Sequence, residues 1–133
     1  METTFPLRLE SYFYIHDFVE PNPKFNPNEP SEYNVNVSAT IEKNKEIFCC
    51  AVNIALNVST SKNYSYNYKI QNYGIFDVDE NIPEEDALQL IKETGIPILI
   101  GAIRERLVNQ TASGPFSSLF LAPVRLDNIR IEK

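Results

Sequence analysis

Residues that could do chemistry are few in this sequence, and they do not form a catalytic set. The single histidine, His16, precedes Asp17, and a histidine–carboxylate pair can act in acid–base catalysis. Because neighbours in a strand point to opposite faces of a sheet, these two side chains are expected to lie apart. No serine stands in the Gly-x-Ser-x-Gly motif of many hydrolases. The sequence therefore predicts no catalytic residues and no enzyme activity.

Metal and redox sites are not expected either. Cys49 and Cys50 are the only cysteines and are adjacent, so neither a disulfide framework nor a zinc site is predicted. The acidic segments 77–80 and 84–86 lack the spacing of a calcium-binding loop. They are expected to form a solvated loop and the start of a helix. We therefore expect no metal and no cofactor.

The composition indicates one soluble globular domain over residues 1–133. A chain of 133 residues has the size of a single ordinary domain, and 43% hydrophobic with 23% charged residues is typical of folded proteins. The net charge is −6 and the pI is near 4.8, so no excess of lysine and arginine is available for phosphate contacts. Nucleic acid is therefore not expected as a partner.

The sequence predicts neither a membrane span nor a secretion signal. The longest strongly apolar stretch, Ile96–Ile103, is less than half as long as a transmembrane helix. The first residues, Met1–Phe5, lack the basic start and the apolar run of a signal peptide. A cytoplasmic location without membrane insertion is therefore expected.

The first half of the chain predicts an antiparallel sheet of about four strands. Residues 7–19 are rich in aromatic and β-branched side chains, which indicates a strand with one break or bulge. The proline- and asparagine-rich segment 21–31 predicts an exposed loop. Apolar residues then alternate with polar or small ones over 33–41, 47–58 and 64–71. Because short turns join these segments, antiparallel neighbours with one apolar face are expected.

Two helices are predicted after the sheet, which makes the fold class α+β. Pro83 and the acidic residues that follow mark a helix start, so the first helix is expected over 83–94. The second is expected from Pro97 to about Thr111. Its first half is apolar nearly all round, so one side can pack on the sheet and the other side needs a cover. In a domain this small, a second copy of the chain is the expected cover.

Several motifs in this order resemble the bacterial export chaperone SecB. Two alternating strands, Ile47–Phe76, end in Gly74-Ile75-Phe76, and an Arg104-Glu105 pair lies in the second predicted helix. The most specific motif is Leu121-Ala122-Pro123-Val124, followed by Asp127. The opening strand that ends at Glu20-Pro21-Asn22 is also similar. The likeness spans most of the chain and is loosest between residues 22 and 46.

The resemblance implies the SecB fold, in which a four-stranded antiparallel sheet carries helices on one face. It also implies a homodimer or a homotetramer with long helices between the sheets. SecB proteins act as holdases: they bind unfolded polypeptides in apolar grooves, use no ATP or other cofactor, and pass exported chains to the SecA motor. Such grooves bind by burying apolar surface, which requires no reactive group.

The resemblance and the apolar pattern together give candidate site residues. Aromatic side chains bury much surface for little lost rotamer entropy, so client contact is expected at Phe76, Phe116 and Phe120. Assembly is expected through four apolar residues of the second helix, which are Ile98, Leu99, Ile103 and Leu107.

Departures from the family pattern argue against the export role. The family typically presents acidic residues to SecA on the outer sheet surface. Asp17 and Glu20 correspond to two of them, but Lys69 stands at the matching position on another strand. The C-terminal helix and tail of export-type members are expected to be reduced here to at most Asp127–Lys133, and two further positions differ from the family's usual residues, Ser117 and Leu126. Some SecB-like proteins instead serve the antitoxin of a toxin–antitoxin pair, and such a dedicated role would suit this chain.

Two other classes of function stay open from the sequence. A structural or adaptor subunit could use the same apolar surfaces to bind one folded partner. Varied unfolded peptides should displace the client of a holdase, and they should not displace the partner of an adaptor. A small-molecule binder or enzyme between sheet and helices has the least support, since no convergent polar groups are recognisable.

Overall fold

The alternating segments form one sheet with the helices packed on one of its faces. The computed structural model describes residues 7–44, 47–122 and 129–132. In chain order the strands are β1 (Leu7–Pro21), β2 (Val35–Asn44), β3 (Ile47–Leu56), β4 (Tyr66–Val78) and β5 (Arg130–Glu132). The helices, α1 (Glu84–Leu90) and α2 (Ile96–Thr111), lie between β4 and β5 in the chain.

The sheet has the order β1-β4-β3-β2-β5. The first four strands pair antiparallel, which confirms the predicted four-stranded antiparallel sheet. β5 was not predicted, and it pairs parallel with the segment of β2 from Ser38 to Thr40. Residues 130–132 therefore form a strand instead of the remnant of a helix. Parts of two sequence motifs, residues 45–46 of the β2–β3 turn and residues 123–128 after Ala122, lie outside the described residues.

Two irregularities bend β1, where the sequence predicted one. They lie between Leu9 and Ser11 and between Tyr14 and His16, where the pairing with β4 shifts by one residue. An extra residue in one strand re-aims the side chains that follow it. Aromatic residues of β1 consequently occupy both faces of the sheet: Tyr14 faces α2, and Phe13 stacks on Tyr73 of the outer face at 5.3 Å between ring centres.

Side-chain alternation along β3 and β4 determines which face of the sheet is buried. Even-numbered residues of both strands, from Phe48 to Leu56 and from Tyr66 to Val78, are buried beneath the helices. Odd-numbered residues face outward, and after Ile47 those of β3 are small or polar: Cys49, Ala51, Asn53 and Ala55. Tyr66 and Tyr68 are therefore core residues.

α1 and α2 are continuous, joined by the π-helical turn Ile91–Gly95, and not two separate helices as predicted. Pro97 has no N–H to donate to the carbonyl four residues earlier. The turn before it widens, and the N–H of Ile96 donates to the carbonyl of Ile91, five residues back. Gly95 keeps helical torsion angles (φ −66°, ψ −49°) and does not end the helix. Within the described ranges, no helix combines the length and the apolar character needed to cross a membrane.

Two glycines allow this helix to lie close to β4. A Cβ added at Gly74 would stand 2.9 Å from Leu99 Cδ2, and one added at Gly95 would stand 3.1 Å from Phe76 Cζ. Nearby, Nδ2 of the buried Asn72 donates to the carbonyl of Leu99 at 3.0 Å, which fixes α2 along β4. The Gly-Ile-Phe motif of the sequence is therefore a packing motif of the helix–sheet contact.

Substitution at Gly74 should destabilise the protein, because a methyl group has no space beneath Leu99. We expect Gly74→Ala to lower the free energy of unfolding by about 1–3 kcal/mol. Gly101→Ala is the matched control, since an added Cβ there meets no atom within 4 Å. In α2 that alanine should raise the free energy of unfolding by about 0.5–1 kcal/mol. Urea unfolding followed by circular dichroism measures both, and equal stability of the two variants would contradict the packing role of Gly74.

The loop between β1 and β2 lies against the turn that precedes β4. Asn22 anchors its start, where the backbone N–H donates to Ser65 O and Nδ2 donates to Tyr64 O, both at 2.8 Å. Asn63 anchors its middle from a left-handed backbone conformation (φ 51°), which asparagine tolerates. Its Oδ1 accepts from the N–H of Asn26 at 2.8 Å, and its Nδ2 donates to three loop carbonyls, those of Asn26, Glu29 and Pro30. The predicted loop is therefore held by asparagine side chains.

Candidate functional site

The described residues offer apolar surface and no assembled reactive groups. In the ranges 7–44, 47–122 and 129–132, no three His, Cys, Asp or Glu side chains are grouped so as to hold a metal ion. His16 and Asp17 lie on opposite faces of β1, paired with Gln71 and Ile70 of β4. Burial raises the pKa of Cys50 to about 12, so its thiol stays protonated at neutral pH and is a poor nucleophile.

An aromatic cluster of Phe25, Tyr66 and Phe116 joins three parts of the chain at one end of the sheet. The rings of Phe25 and Phe116 meet edge to face with centres 4.9 Å apart. Those of Tyr66 and Phe116 meet in the same way at 5.7 Å. Tyr66 is buried, whereas the two phenylalanines are half-buried. The aromatic cluster therefore presents ring surface to the solvent.

Segment 112–122, which follows α2, is held in place by Tyr66 and Thr111. The N–H of Phe116 donates to the Tyr66 hydroxyl, and that hydroxyl donates to the carbonyl of Phe116, each at 3.3 Å. Gly114 packs so closely on the same ring that an added Cβ would stand 2.2 Å from the hydroxyl oxygen. The buried Thr111 Oγ1 accepts from the N–H of Leu119 at 2.7 Å. Phe120 follows directly and has 71% of its surface exposed.

The structure separates the three phenylalanines expected to contact a client. Phe76 has no exposed surface, because it shares the inner face of β4 with Ile70 and lies beneath Gly95. A partner on the surface of this fold cannot touch it. Phe116 is half-buried in the aromatic cluster, and Phe120 is the most exposed large apolar side chain of the described residues. Surface for contact is therefore available at Phe116 and Phe120.

Of the four α2 residues expected at an assembly interface, Ile98 alone is exposed, at 43%. The others recur every fourth residue on the side that faces the sheet, and each is fully buried within one chain: Leu99, Ile103 and Leu107. The opposite side of the helix starts with exposed residues that carry no polar side chain, Pro97, Ile98 and Gly101. Apolar surface on α2 is therefore smaller than the sequence suggests, and it is centred on Ile98.

Asp17 is bound within the chain, on the inner side of the sheet. Its carboxylate accepts hydrogen bonds from Arg106 Nε at 2.8 Å and from Gln110 Nε2 at 2.7 Å. The Arg106 guanidinium also lies 4.2 Å from the centre of the Tyr14 ring. Arg106, Gln110 and Tyr14 line a cleft of about 410 Å³ between β1 and α2. Of the two acidic residues expected on the outer sheet surface, Glu20 has its side chain there and Asp17 does not.

Acid should weaken this contact between β1 and α2. The hydrogen bond from Arg106 lowers the pKa of Asp17, in spite of partial burial that acts in the opposite direction. The ionised carboxylate therefore stabilises the fold above the unfolded-state pKa, about 3.9, and the contribution is lost as the pH falls through the lower folded-state pKa. At neutral pH the free energy of unfolding of wild type should exceed that of Asp17→Asn by at most about 1 kcal/mol, as measured by thermal unfolding. A difference that persists in strong acid would contradict this assignment.

Sequence reasoning misses Phe25 and the contact between Tyr66 and Gly114. One signal is available for Phe25, because it is the single aromatic residue of the polar segment 21–31. Nothing in the sequence pattern indicates that this loop meets segment 112–122, since the two lie far apart in the chain. Their contact depends on how the loop folds back over the sheet.

Comparisons with known proteins agree with this architecture. A family model described as preprotein translocase subunit SecB matches residues 11–132. A solved structure of a SecB-like chaperone from Mycobacterium tuberculosis, in complex with a ChAD peptide from the HigA1 antitoxin, has a TM-score of 0.70 and 12% identity, covering 90% of this chain and 91% of that chain. A protein of unknown function from Streptococcus agalactiae has a TM-score of 0.47 and 12% identity, covering 91% of this chain and 100% of that chain. Comparison with curated proteins finds no match.

Proposed function

The chain belongs to the SecB family, and from this premise we propose that it is an ATP-independent holdase that binds unfolded segments of other polypeptides. Members of this family are chaperones and not enzymes. We place the activity in the cytoplasm, and we place client contact at the aromatic cluster and at Phe120. Binding there would rest on burial of apolar surface, which accepts many sequences because it is not directional.

The observation that carries the proposal is the exposed Phe120 on the same segment as Phe116. Phe120 is a large apolar side chain that keeps 71% of its surface exposed to water in the folded chain. Full burial of such a side chain by a partner contributes about 1.5–3 kcal/mol. The segment is fixed by its bonds to Tyr66 and Thr111, so little ordering entropy opposes binding.

The direct test is suppression of aggregation. A test protein diluted from denaturant should aggregate more slowly, followed by light scattering, when the purified chain is present and ATP is absent. Unfolded peptides of varied sequence should compete with the test protein. Failure to delay aggregation and to retain any unfolded chain would refute the holdase. Retention of a single folded partner that peptides do not displace would favour an adaptor subunit instead.

We further propose that the client is an antitoxin and that transfer to SecA is not the main role. The relative from Mycobacterium tuberculosis was solved with an antitoxin peptide, and this supports an antitoxin as the client class. Against SecA, the Asp17 carboxylate is occupied by Arg106 on the inner side of the sheet, and Lys69 is exposed on the outer side. Titration of the purified chain with an antitoxin from its native cell and with SecA separates the two roles, and tight binding of SecA alone would reject this proposal.

We also propose that the chain assembles as a homodimer or a homotetramer. Two features of the described residues support assembly. The outer side of α2 presents Ile98 and Gly101 without a cover. The outer edge of β1 has no neighbour in the sheet, although β1 is fifteen residues long and carries exposed aromatic side chains. Unpaired strands of that length commonly pair with another chain.

A further inference from the structure

Phe25 packs on Phe116 within the aromatic cluster much as an aromatic side chain from another polypeptide could. We infer that Phe25 is a built-in occupant of a binding site on Phe116, which the buried Tyr66 supports from below, and that an aromatic side chain of a client binds there by displacing it. The inference rests on the proposed function and adds to it the class of side chain recognised and the way the site opens.

The packing of the three rings is asymmetric. Phe116 packs against the buried core, and Tyr66 is part of that core, whereas Phe25 is in neither group. Phe25 meets Phe116 edge to face, at 4.9 Å between ring centres. Its departure would therefore expose more of the Phe116 ring without opening the core. The vacated space would suit a ring, since edge-to-face contact favours an aromatic partner.

Apart from its ring contact with Phe116, Phe25 is kept in place by polar contacts of its loop, and those made by Asn63 are open to solvent. Residues 22–31 belong to no strand, and Phe25 lies between the anchored residues Asn22 and Asn26. The four hydrogen bonds of the Asn63 amide to this loop are all at exposed positions. Water can replace bonds of this kind at small net cost. The Asn63 amide therefore acts as a latch that can open while the sheet and helices stay folded.

A fluorescent reporter can detect displacement directly, because the chain contains no tryptophan. In Phe25→Trp the indole should emit from a half-buried position. A saturating unfolded peptide that contains phenylalanine and no tryptophan should shift this emission to the red and increase its quenching by acrylamide. The same peptide with alanine in place of phenylalanine should not. Phe18→Trp, on the outer face of the sheet, is the control and should show no shift with either peptide.

The direction in which the affinity for the same phenylalanine peptide changes in two variants tests the inference. Phe25→Ala should bind the peptide about 2- to 10-fold more tightly than wild type, since the internal competitor is gone. Asn63→Gly should also bind more tightly, because glycine keeps the left-handed backbone and removes only the amide. Weaker or unchanged binding by both variants, or an indole at position 25 that shifts to the blue on binding, would overturn displacement. Absence of peptide binding by wild type and by every variant would instead refute the holdase itself.

Discussion

Replacement of Ile98 with aspartate should give a folded chain of reduced particle mass, whereas the same replacement at Ile103 should prevent folding. The two residues lie on the same helix but in opposite surroundings. Ile98 is 43% exposed and Ile103 is completely buried against the sheet. A carboxylate at Ile98 would meet water in a single chain and would be buried without a partner only between chains. A carboxylate at Ile103 would be buried in every state of the folded protein.

The expected sizes of these two effects differ. An unpaired buried charge costs several kcal/mol, which is comparable to the total stability of a domain, so Ile103→Asp should be unfolded by circular dichroism. Ile98→Asp should keep the wild-type spectrum and show a lower mass by light scattering. Ile98→Ala is the control that removes apolar area without adding charge, and it should lower the particle mass less than Ile98→Asp does. An unchanged mass of Ile98→Asp would remove the argument that α2 is covered by a second copy.

Loss of the Phe120 ring should reduce the affinity for unfolded clients by about tenfold, as expected when about 1–2 kcal/mol of apolar burial is lost. Phe120→Ser is the change, and its stability should match that of wild type because most of the side chain is exposed. The measurement is the dissociation constant of a labelled unfolded peptide, followed by fluorescence anisotropy.

Ile47→Ser is the matched control for Phe120. Ile47 is 45% exposed, and it pairs with Asp77 at the end of the sheet opposite Tyr66. Its replacement removes a comparable exposed side chain away from the aromatic cluster and should leave the dissociation constant unchanged. An equal loss of affinity in both variants would indicate that exposed apolar surface binds clients wherever it lies. Full affinity of Phe120→Ser would move the client site away from segment 112–122.

The strands were the most predictable part of the fold, because alternation of apolar and polar residues with period two directly indicates a sheet with one buried face. The same period also places Phe76 inside. It lies an even number of residues from Tyr68 and Ile70 on β4, and all three share the buried face. Aromatic character suggested a client contact at Phe76, whereas its position in the alternation indicates a core residue.

The helix and the last strand were harder to predict for separate reasons. Gly95 and Pro97 are typical of a helix boundary, yet the backbone passes through both by widening one turn. The apolar residues of α2 divide into a buried stripe at every fourth position and the exposed Ile98, a distinction that composition does not make. β5 has only three residues, too few for any periodic signal. Its pairing with β2 depends on the tertiary fold.

The candidate site shows the same division between local and long-range information. Phe116 and Phe120 were predicted to contact a client, and in the structure Phe116 is half-buried and Phe120 is exposed. Their role in binding stays a prediction. The contribution of Phe25 was not predicted, because it depends on the contact between a polar loop and Asn63. In the sequence, Asn63 indicates only a turn.

The placement of β5 limits how the protein can polymerise. Three residues of β5 cover part of the border of the sheet at β2, whereas no strand of the described residues pairs with the border at β1. A sheet with two open borders can add copies without end and grow into a fibril. With part of the border at β2 covered, strand addition by a second copy is favoured at β1, and two chains paired there would present only their partly covered β2 borders to a third.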